Sequence, residues 1–492
     1  MSAEQLAATL ALVGIVIIVA SLFSGIVDKT GLPQVAIFLA LGAILGPAGF
    51  GLVNLTLESP ALRVIATIGL VLVLFTDAIS VDLSQVKRHR ALAAIILGPG
   101  TLLPAVVLAA IAYFLLRFSF AESAILGAAL ASTDPVMLRS VLRKPELPAD
   151  TRLALKLESG MNDVVLLPIV VLSMLLLQPT PPDGQEVTTH VVSLFLLGPV
   201  LGGAVGWIAI VLLEKIRAKA GVRRDYESLY ALGIAFTAYA AAEKVGGSGF
   251  LAAFAAGLTV AALDIDLCDC FLDYGEATAE MFLLLTFLAF GGSLIWSGLL
   301  VIDWKTILFA VAAMGVRTLV LYPVLARARL EKRSRHLIAW LGPRGLSSLL
   351  LILLPVFAGL PGTERLFAIT SLVVLGSVAI HGAGIALVLR RATLSRVRRS
   401  GNSREAVHTP PLDEGPREPV DDKTPELINL EEVEQLQNSG ESVVIVDSRA
   451  DRNLVQDSIQ AAGAVRVRPN SVVEDATARR LSQHATLVVY CA

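Results

Sequence analysis

The sequence predicts an all-α polytopic membrane protein with about 13 transmembrane helices, followed by a small α/β tail. Of its 492 residues, 55% are hydrophobic and only 17% are charged, and the mean hydropathy is +0.72. Soluble domains carry about a quarter charged residues, and long apolar runs are typical of membrane spans. Residues 1–390 are apolar with rare charges, whereas residues 391–492 are polar and charged. The net charge of −2 therefore says little about partners, and no nucleic acid is expected among them.

Thirteen apolar stretches are candidate spans, because crossing the hydrocarbon core takes roughly 20 apolar residues. They are residues 6–27, 32–50, 61–80, 91–116, 121–143, 153–178, 190–213, 227–243, 247–263, 277–300, 304–326, 335–358 and 364–389. The first lacks the basic segment that opens a signal peptide, so we interpret it as a span. The second, eighth and ninth are short and rich in Gly or Ala, which suits closely packed interior helices.

Basic residues in the loops predict the orientation in the cell (inner) membrane. With the N-terminus outside, the inner loops and tail junction hold 23 Lys and Arg residues, and the outer loops hold 5. Because basic loops stay cytoplasmic, this asymmetry predicts an outer N-terminus and a cytoplasmic tail. The inner loop 264–276 is the exception, since it is acidic, and it could attract cations to an inner mouth.

The chain is predicted to divide into a membrane domain over residues 1–390, a linker over 391–425 and a tail domain over 426–492. The linker combines Pro, Ser, Arg and acidic residues with little apolar content, which predicts disorder. The elements predicted in the tail are a helix over 426–438 and strands over 443–447 and 486–490.

A first polar cluster, Ala131-Ser132-Thr133-Asp134-Pro135, interrupts the fifth apolar stretch. Asp followed by Pro is typical of a helix start, with Asp as the cap and Pro at the first helical position. A helix start inside a span predicts a broken helix, and transporters place such breaks near the midplane, where half-helix ends face the ions. The alternative is a kink whose cap has no role in transport.

A second cluster in the sixth stretch contains Glu158, Ser159, Asn162 and Asp163. Residues four apart share a helix face, so Ser159 lies beside Asp163. Desolvation favours the neutral form of a buried carboxylate, which lets such a group trade a proton near neutral pH. A dehydrated monovalent cation needs hard oxygen ligands, which Asp163, Ser159 and Thr133 offer. We therefore predict that a proton and a cation compete for Asp163; the alternative is a structural hydrogen-bond network, above all for Asn162.

Other ionisable residues at membrane depth are costly and mark candidate pathways. Arg317 and Arg344 each require an acidic partner or a helix C-terminus, and Glu158 is the natural partner for one of them. A purely structural salt bridge is the alternative. Asp77 and Asp82 lie at the inner end of the third stretch and suit the mouth of a funnel, although a solvated helix end is the simpler interpretation.

Together these motifs resemble the monovalent cation:proton antiporters of the sodium/proton exchanger type. The resemblance covers roughly residues 10–390. Its motifs are Thr133-Asp134-Pro135, Glu158-Ser159 with Asn162-Asp163, Gly342-Pro343-Arg344-Gly345 after Trp340, and the 39–47 segment of the second stretch. It implies a thirteen-span fold with inverted repeats, two crossing broken helices, and a six-helix core that moves against a dimer-forming panel, hence a homodimer in lipid.

The resemblance also implies roles for individual residues. Asp163 binds the ion and the proton, Thr133, Ser159 and Asp134 help to line the site, Glu158 and Asn162 support it, and Arg344 neutralises core charge. The Asn-Asp pair resembles the electroneutral branch of these antiporters. The implied substrates are H⁺ and Na⁺, with Li⁺ or K⁺ as alternatives, and no cofactor is expected.

The tail resembles the start of a rhodanese-like domain. The similar segments are Val446-Asp447-Ser448-Arg449, Ala462-Gly463-Ala464-Val465 and Tyr490-Cys491. The backbone loop that should follow Cys491 is not in the sequence, so this fragment is not expected to be active, and a membrane-tethered sulfurtransferase is the weakest hypothesis. An ion-sensing receptor or channel that signals to the tail is the alternative to an antiporter; proton movement strictly coupled to an added cation distinguishes the two.

Overall fold

A computed structural model of the chain contains two compact units, residues 1–406 and 407–492. The structure describes residues 34–52, 55–81, 83–134, 147–178, 183–263, 265–328 and 330–382 of the first unit, residues 443–448, 463–467 and 486–490 of the second, and single positions at 14, 18, 22, 137, 138, 142, 384 and 479. The linker, the tail helix and nearly all of the first predicted span lie outside the described residues. The division into three domains stays a prediction.

All the regular elements in the described part of the first unit are helices. Its helices are α1 Gln34–Leu45, α2 Pro60–Ile79, α3 Leu83–Arg88, α4 Arg90–Leu97, α5 Pro99–Ile111, α6 Phe120–Ala131, α7 Ala149–Leu176, α8 Gly184–Val192, α9 Gly198–Ala220, α10 Arg224–Lys244, α11 Gly249–Leu263, α12 Ile265–Ala289, α13 Ser297–Leu300, α14 Trp304–Leu325, α15 Lys332–Trp340, α16 Leu346–Phe357 and α17 Thr363–Gly382. Short π-helical turns follow α5, α8 and α12.

Seven helical segments in the described part are long and apolar enough to cross a membrane. They are Pro60–Ile79, Arg90–Leu116, Asp150–Leu176, Val187–Ala220, Thr278–Leu300, Trp304–Leu325 and Thr363–Gly382. Four shorter apolar helices, α1, α6, α11 and α16, accompany them. The prediction of a multi-pass helical membrane protein is therefore confirmed, while the count of thirteen spans goes beyond what these helices show.

Two helix boundaries bear on the sequence predictions, one against them and one in agreement. Helix α12 begins at Ile265, so the predicted inner loop 264–276 is helical from that residue onward. Apolar content predicts which part of a helix lies in lipid, and the helix itself can continue into polar sequence beyond that part. Helix α6 stops at Ala131 although its apolar stretch continues to residue 143, and Ser132 is extended with φ −61° and ψ 140°. The predicted break in this span is confirmed.

The main hydrophobic core joins α1, α2, α5, α6, α7, α12, α14, α16 and α17. Within it, α7 packs against α6, and α16 packs against both. The outward face of α9 is apolar and exposed, with Trp207 56% and Ile208 57% accessible. Side chains of this kind contact lipid in a helix that crosses a membrane. Helix α6 is buried along most of its length, from Ala121 to Ala131, whereas Phe120 at its start is exposed.

The described part of the second unit contains a three-stranded parallel sheet in the order β2-β1-β3. The strands are β1 Val443–Asp447, β2 Val465–Arg466 and β3 Thr486–Tyr490. The two predicted strands are therefore confirmed, with Val446 of β1 paired to Val465 and Val489. A parallel pair requires a crossover connection, which favours an α/β tail. The likeness to a rhodanese-like domain stays a prediction.

Candidate functional site

The site lies where two helix interruptions contact each other. The first interruption follows α6 at residue 132, and the second covers residues 341–345 between α15 and α16. The Asp134 amide donates to the Pro343 carbonyl at 2.9 Å, and an Asp134 carboxylate oxygen accepts from the Leu346 amide at 3.0 Å. A broken helix leaves polar backbone groups without helical partners. Here each interruption satisfies backbone groups of the other.

Asp134 caps a helix other than the one that follows it in sequence. Its carboxylate bonds the first amide of α16, where the partial positive charge of a helix N-terminus stabilises an anion. A β-carbon at Gly345 would collide with this carboxylate, so only glycine permits the approach. Pro135 and Val136 lie outside the described residues, and the predicted cap of the following helix stays a prediction.

Asp163 lies on α7 against the first interruption and is 2% exposed. Its Oδ1 accepts a hydrogen bond from the Ser132 hydroxyl at 2.5 Å, and Ser347 at the start of α16 faces the same carboxylate. Its Oδ2 is buried and has no hydrogen-bond partner among the described residues. A buried acceptor left open in this way requires an explanation, such as a bound ion, a proton or water.

Further polar groups beside Asp163 come from α7 itself and from the first interruption. Asn162 Nδ2 donates to Thr133 Oγ1 at 2.8 Å, while Asn162 Oδ1 is buried and has no partner within the described ranges. The Ser159 hydroxyl donates to the Leu155 carbonyl at 2.8 Å, which leaves its oxygen lone pairs free to coordinate. Thr133 thus contacts the residue next to Asp163, Ser159 lies one turn before Asp163 on α7, and their role as ligands stays a prediction.

Glu158 and Arg317 form a buried two-point ion pair between α7 and α14. Arg317 Nε lies 2.8 Å from Oε1 of Glu158, Nη2 lies 2.6 Å from Oε2, and Nη1 donates to the Ala339 carbonyl at 2.6 Å. Gly342 leaves space for the guanidinium, since a β-carbon there would collide with it. Of the two arginines that the sequence offered as partners for Glu158, Arg317 is the one that pairs with it.

Arg344 takes the other predicted arrangement, a helix C-terminus. Its Nη1 donates to the carbonyls of Ala131 and Ser132, at 3.3 and 3.2 Å, where α6 ends. A cation there is stabilised by the negative end of the helix dipole. Its Nε and Nη2 are buried and have no hydrogen-bond partner in the part of the chain that the structure describes. Positive charge is thus held at the end of α6, close to Asp163.

The two aspartates of the predicted funnel have different outcomes. Asp77 on α2 is half-buried and packs beside Gly160 of α7, where a β-carbon would lie 3.7 Å from that of Asp77. It therefore packs within one helical turn of Asp163 along α7, and its place in a funnel stays a prediction. Asp82 lies outside the described residues, so its part of the prediction has no structural counterpart here.

Sequence comparison decides the family. The family model described as "Sodium/hydrogen exchanger, transmembrane" matches residues 15–391. This chain belongs to the sodium/hydrogen exchanger family. The predicted relationship to secondary cation:proton antiporters, as opposed to enzymes, is thereby confirmed at the level of the family.

Individual relatives agree with the family assignment. The K⁺/H⁺ antiporter NhaP of Alkalimonas amylolytica is 26% identical over 418 residues, which cover 83% of this chain and 70% of the relative. NhaP2 of Shewanella sp. strain ANA-3, also named a K⁺/H⁺ antiporter, is 26% identical over 384 residues, and the chain spans 65% of its length. The sodium proton antiporter MjNhaP1 of Methanocaldococcus jannaschii shares the fold, with a TM-score of 0.63, 19% identity, and coverage of 78% of this chain and 99% of that one.

Residue patterns alone do not reveal every polar group near the two helix interruptions of this exchanger-family chain. No sequence pattern assigns a role to Ser132, Ser347 or Ser377, although Ser132 bonds Asp163 directly. Ser132 adjoins the Thr133-Asp134 motif, so its position was the one available signal. Serines are common in transmembrane segments, and a single sequence does not show which of them turns toward a carboxylate on another helix.

Proposed function

We propose that this exchanger-family chain is an electroneutral antiporter that exchanges a monovalent cation for a proton by alternating access at Asp163. The cation is Na⁺, with Li⁺ and K⁺ as the alternatives. The observation that carries the proposal is the open pair of buried oxygens, Asp163 Oδ2 and Asn162 Oδ1, beside two crossing helix interruptions. Such interruptions supply free backbone groups and half-helix ends to transported ions.

The neighbouring acidic groups support a single exchanging carboxylate. Glu158 is neutralised by its two-point ion pair with Arg317, and the Asp134 carboxylate caps α16. Asp163 has hydroxyl neighbours and an open oxygen, with no ion pair in the described structure. One proton leaving Asp163 for each monovalent cation that arrives transfers no net charge, which supports the electroneutral proposal.

The remaining residues receive roles that follow from their contacts. In this proposal Ser159 and Thr133 complete the coordination of the cation with Asp163. Asp134, Asn162, Glu158, Arg317 and Arg344 hold the interrupted helices and the local charge. Asp77 lines the approach to the site, and Asp82 is assigned to the same approach from its place in the sequence alone.

The wider organisation is also part of the proposal. We infer thirteen spans with inverted repeats, a homodimer in the cell (inner) membrane, an outer N-terminus and a cytoplasmic tail. The excess of 23 inner over 5 outer basic residues supports this orientation. The linker over 391–425 and a rhodanese-like domain over 426–492 are proposed as a regulatory appendage, because the described site lies entirely in the first unit.

The function is tested in proteoliposomes with an imposed pH gradient and a pH-sensitive dye inside. We expect added Na⁺, Li⁺ or K⁺ to dissipate the gradient, with the preferred cation giving the lowest KM. The rate should be independent of membrane potential when the potential is clamped at several values, because no net charge crosses. A rate that follows voltage would show that a second group carries charge, and proton flux without any cation requirement would favour a channel.

Exchange should also weaken at low pH by competition. Protons and cations bind the same carboxylate. Each unit by which the pH falls below the pKa of the site should therefore raise the apparent KM for the cation about tenfold. The maximal rate at saturating cation should remain. Initial rates over a cation series at several pH values measure both quantities. A maximal rate that collapses while KM stays constant would indicate a separate pH sensor.

A further inference from the structure

The second helix interruption, residues 341–345, is bonded to helix α17. The main-chain amide of Arg344 donates to the Ser377 hydroxyl at 2.7 Å, and Ser377 is fully buried. This amide belongs to the non-helical segment 341–345, and its hydrogen-bond partner is a side chain of another helix. A buried amide without a partner is costly, so the Ser377 hydroxyl fixes the position of the segment.

His381 extends this anchor by one turn of α17. Its Nδ1 lies 3.1 Å from Ser377 Oγ, and its ring packs against Trp340, with centroids 5.6 Å apart and planes inclined by 42°. Since Ser377 accepts from the Arg344 amide, its own proton is available to Nδ1 of a neutral His381. Trp340 ends α15, so His381 and Ser377 hold both the start and the middle of the interruption.

The anchor connects to the exchanging carboxylate through contacts already described. Arg344 is held at its amide by Ser377 and at its guanidinium by the carbonyls of Ala131 and Ser132. The Ser132 hydroxyl in turn donates to Asp163. The path from His381 to Asp163 is therefore a continuous series of buried contacts through two interrupted segments.

We propose that Ser377 and His381 are positioning residues for the exchange site, which set the geometry of Asp163 through Arg344 and Ser132. The proposal rests on the proposed function of Asp163. Neither residue touches the carboxylate, so each affects cation affinity only through the position of the groups around Asp163. Their loss should change the apparent KM more than the maximal rate.

The first test compares Ser377→Ala with Ser377→Thr in the proteoliposome assay. We expect Ser377→Ala to raise the apparent KM for the cation about 2- to 10-fold, the range that one buried hydrogen bond contributes to an equilibrium constant. Ser377→Thr keeps the hydroxyl and should restore most of the affinity. The matched control is Ser371→Ala on the same helix, a fully buried serine whose Oγ has no partner within the described residues. It should leave KM unchanged.

The second test uses His381, whose replacement leaves the bond between Arg344 and Ser377 intact. His381→Phe keeps the contact with Trp340 and removes the hydrogen bond, so KM should rise; His381→Gln retains a polar partner and should raise it less. The double variant Ser377→Ala, His381→Phe should raise the apparent KM by less than the product of the two single fold-increases, because both residues act through one path. Melting temperatures of the purified variants show whether each one folds.

The outcomes separate this proposal from the proposed function. Wild-type KM values in both Ser377→Ala and His381→Phe would overturn the positioning role and leave exchange at Asp163 untouched. Equal losses in Ser377→Ala and Ser377→Thr, or multiplicative effects in the double variant, would also contradict it. Retained exchange in Asp163→Asn would instead contradict the proposed function.

Discussion

Replacing Asp163 by Asn is expected to abolish cation:proton exchange while the protein still folds and inserts. The amide keeps the shape of the side chain, and its oxygen can still accept from the Ser132 hydroxyl, which bonds Oδ1 at 2.5 Å in the wild type. It can neither titrate nor offer a negative charge to a cation. Dye-based exchange in proteoliposomes should fall to the level of empty vesicles for Na⁺, Li⁺ and K⁺ alike.

A matched control for this variant is Asp303→Asn, the same change at the start of α14. Asp303 caps that helix by accepting from the Thr306 amide at 2.6 Å, and these contacts hold the pKa of Asp303 below its usual range. Asn caps helices about as well as Asp, so exchange should be retained. Cation-dependent proton flux in purified Asp163→Asn would contradict the central claim, whereas loss in both variants would indicate a general defect.

The helix interruption after Ala131 could be predicted because local chemistry encodes it. Asp followed by Pro favours a helix start whatever surrounds it, and a start inside an apolar stretch requires a preceding end. The contact that the structure adds is long-range: Asp134 caps α16, whose first residue lies 212 positions later. Sequence spacing shows that a carboxylate can cap a helix, and it does not show which helix end the fold brings to it.

The buried arginines illustrate the same limit. Their cost at membrane depth predicted that each needs an acidic group or a helix C-terminus, and both solutions occur. Glu158 could have paired with either, because the choice depends on how α7, α14 and the second interruption are packed. In the structure Glu158 pairs with Arg317, and Arg344 bonds the carbonyls at the end of α6.

The polar residues of the site could be predicted best where they share a short segment. Ser159 and Asp163 are four residues apart on one helix, so their proximity follows from helix geometry. Ser132 and Ser377 act across helices, on Asp163 and Arg344 respectively, and hydroxyls of this kind carry no local pattern. The position of Asp77 in its apolar stretch suits a funnel mouth or a solvated helix end, and only the structure shows that it packs beside Gly160 of α7.

The second large effect is expected for stability, when one partner of the Glu158–Arg317 pair is removed. Arg317→Gln leaves a carboxylate without its counter-charge where both side chains are at least 95% buried, which costs about 3–5 kcal/mol in folded proteins. The variant should melt well below the wild type in detergent or fail to accumulate as a folded protein. Glu158→Gln should have a comparable effect through the uncompensated guanidinium.

The double variant Glu158→Gln, Arg317→Gln distinguishes an uncompensated charge from lost packing. Removing both charges leaves two amides that can bond each other, and buried ion pairs replaced on both sides are often close to neutral for stability. Its melting temperature should therefore exceed that of either single variant. Arg217→Gln is the control, because its 2.8 Å pair with Glu227 is partly exposed, and such pairs contribute less than about 1 kcal/mol. A double variant as unstable as the single variants would contradict the explanation by uncompensated charge. It would mean that the geometry of the guanidinium and its bond to the Ala339 carbonyl hold α14 in place.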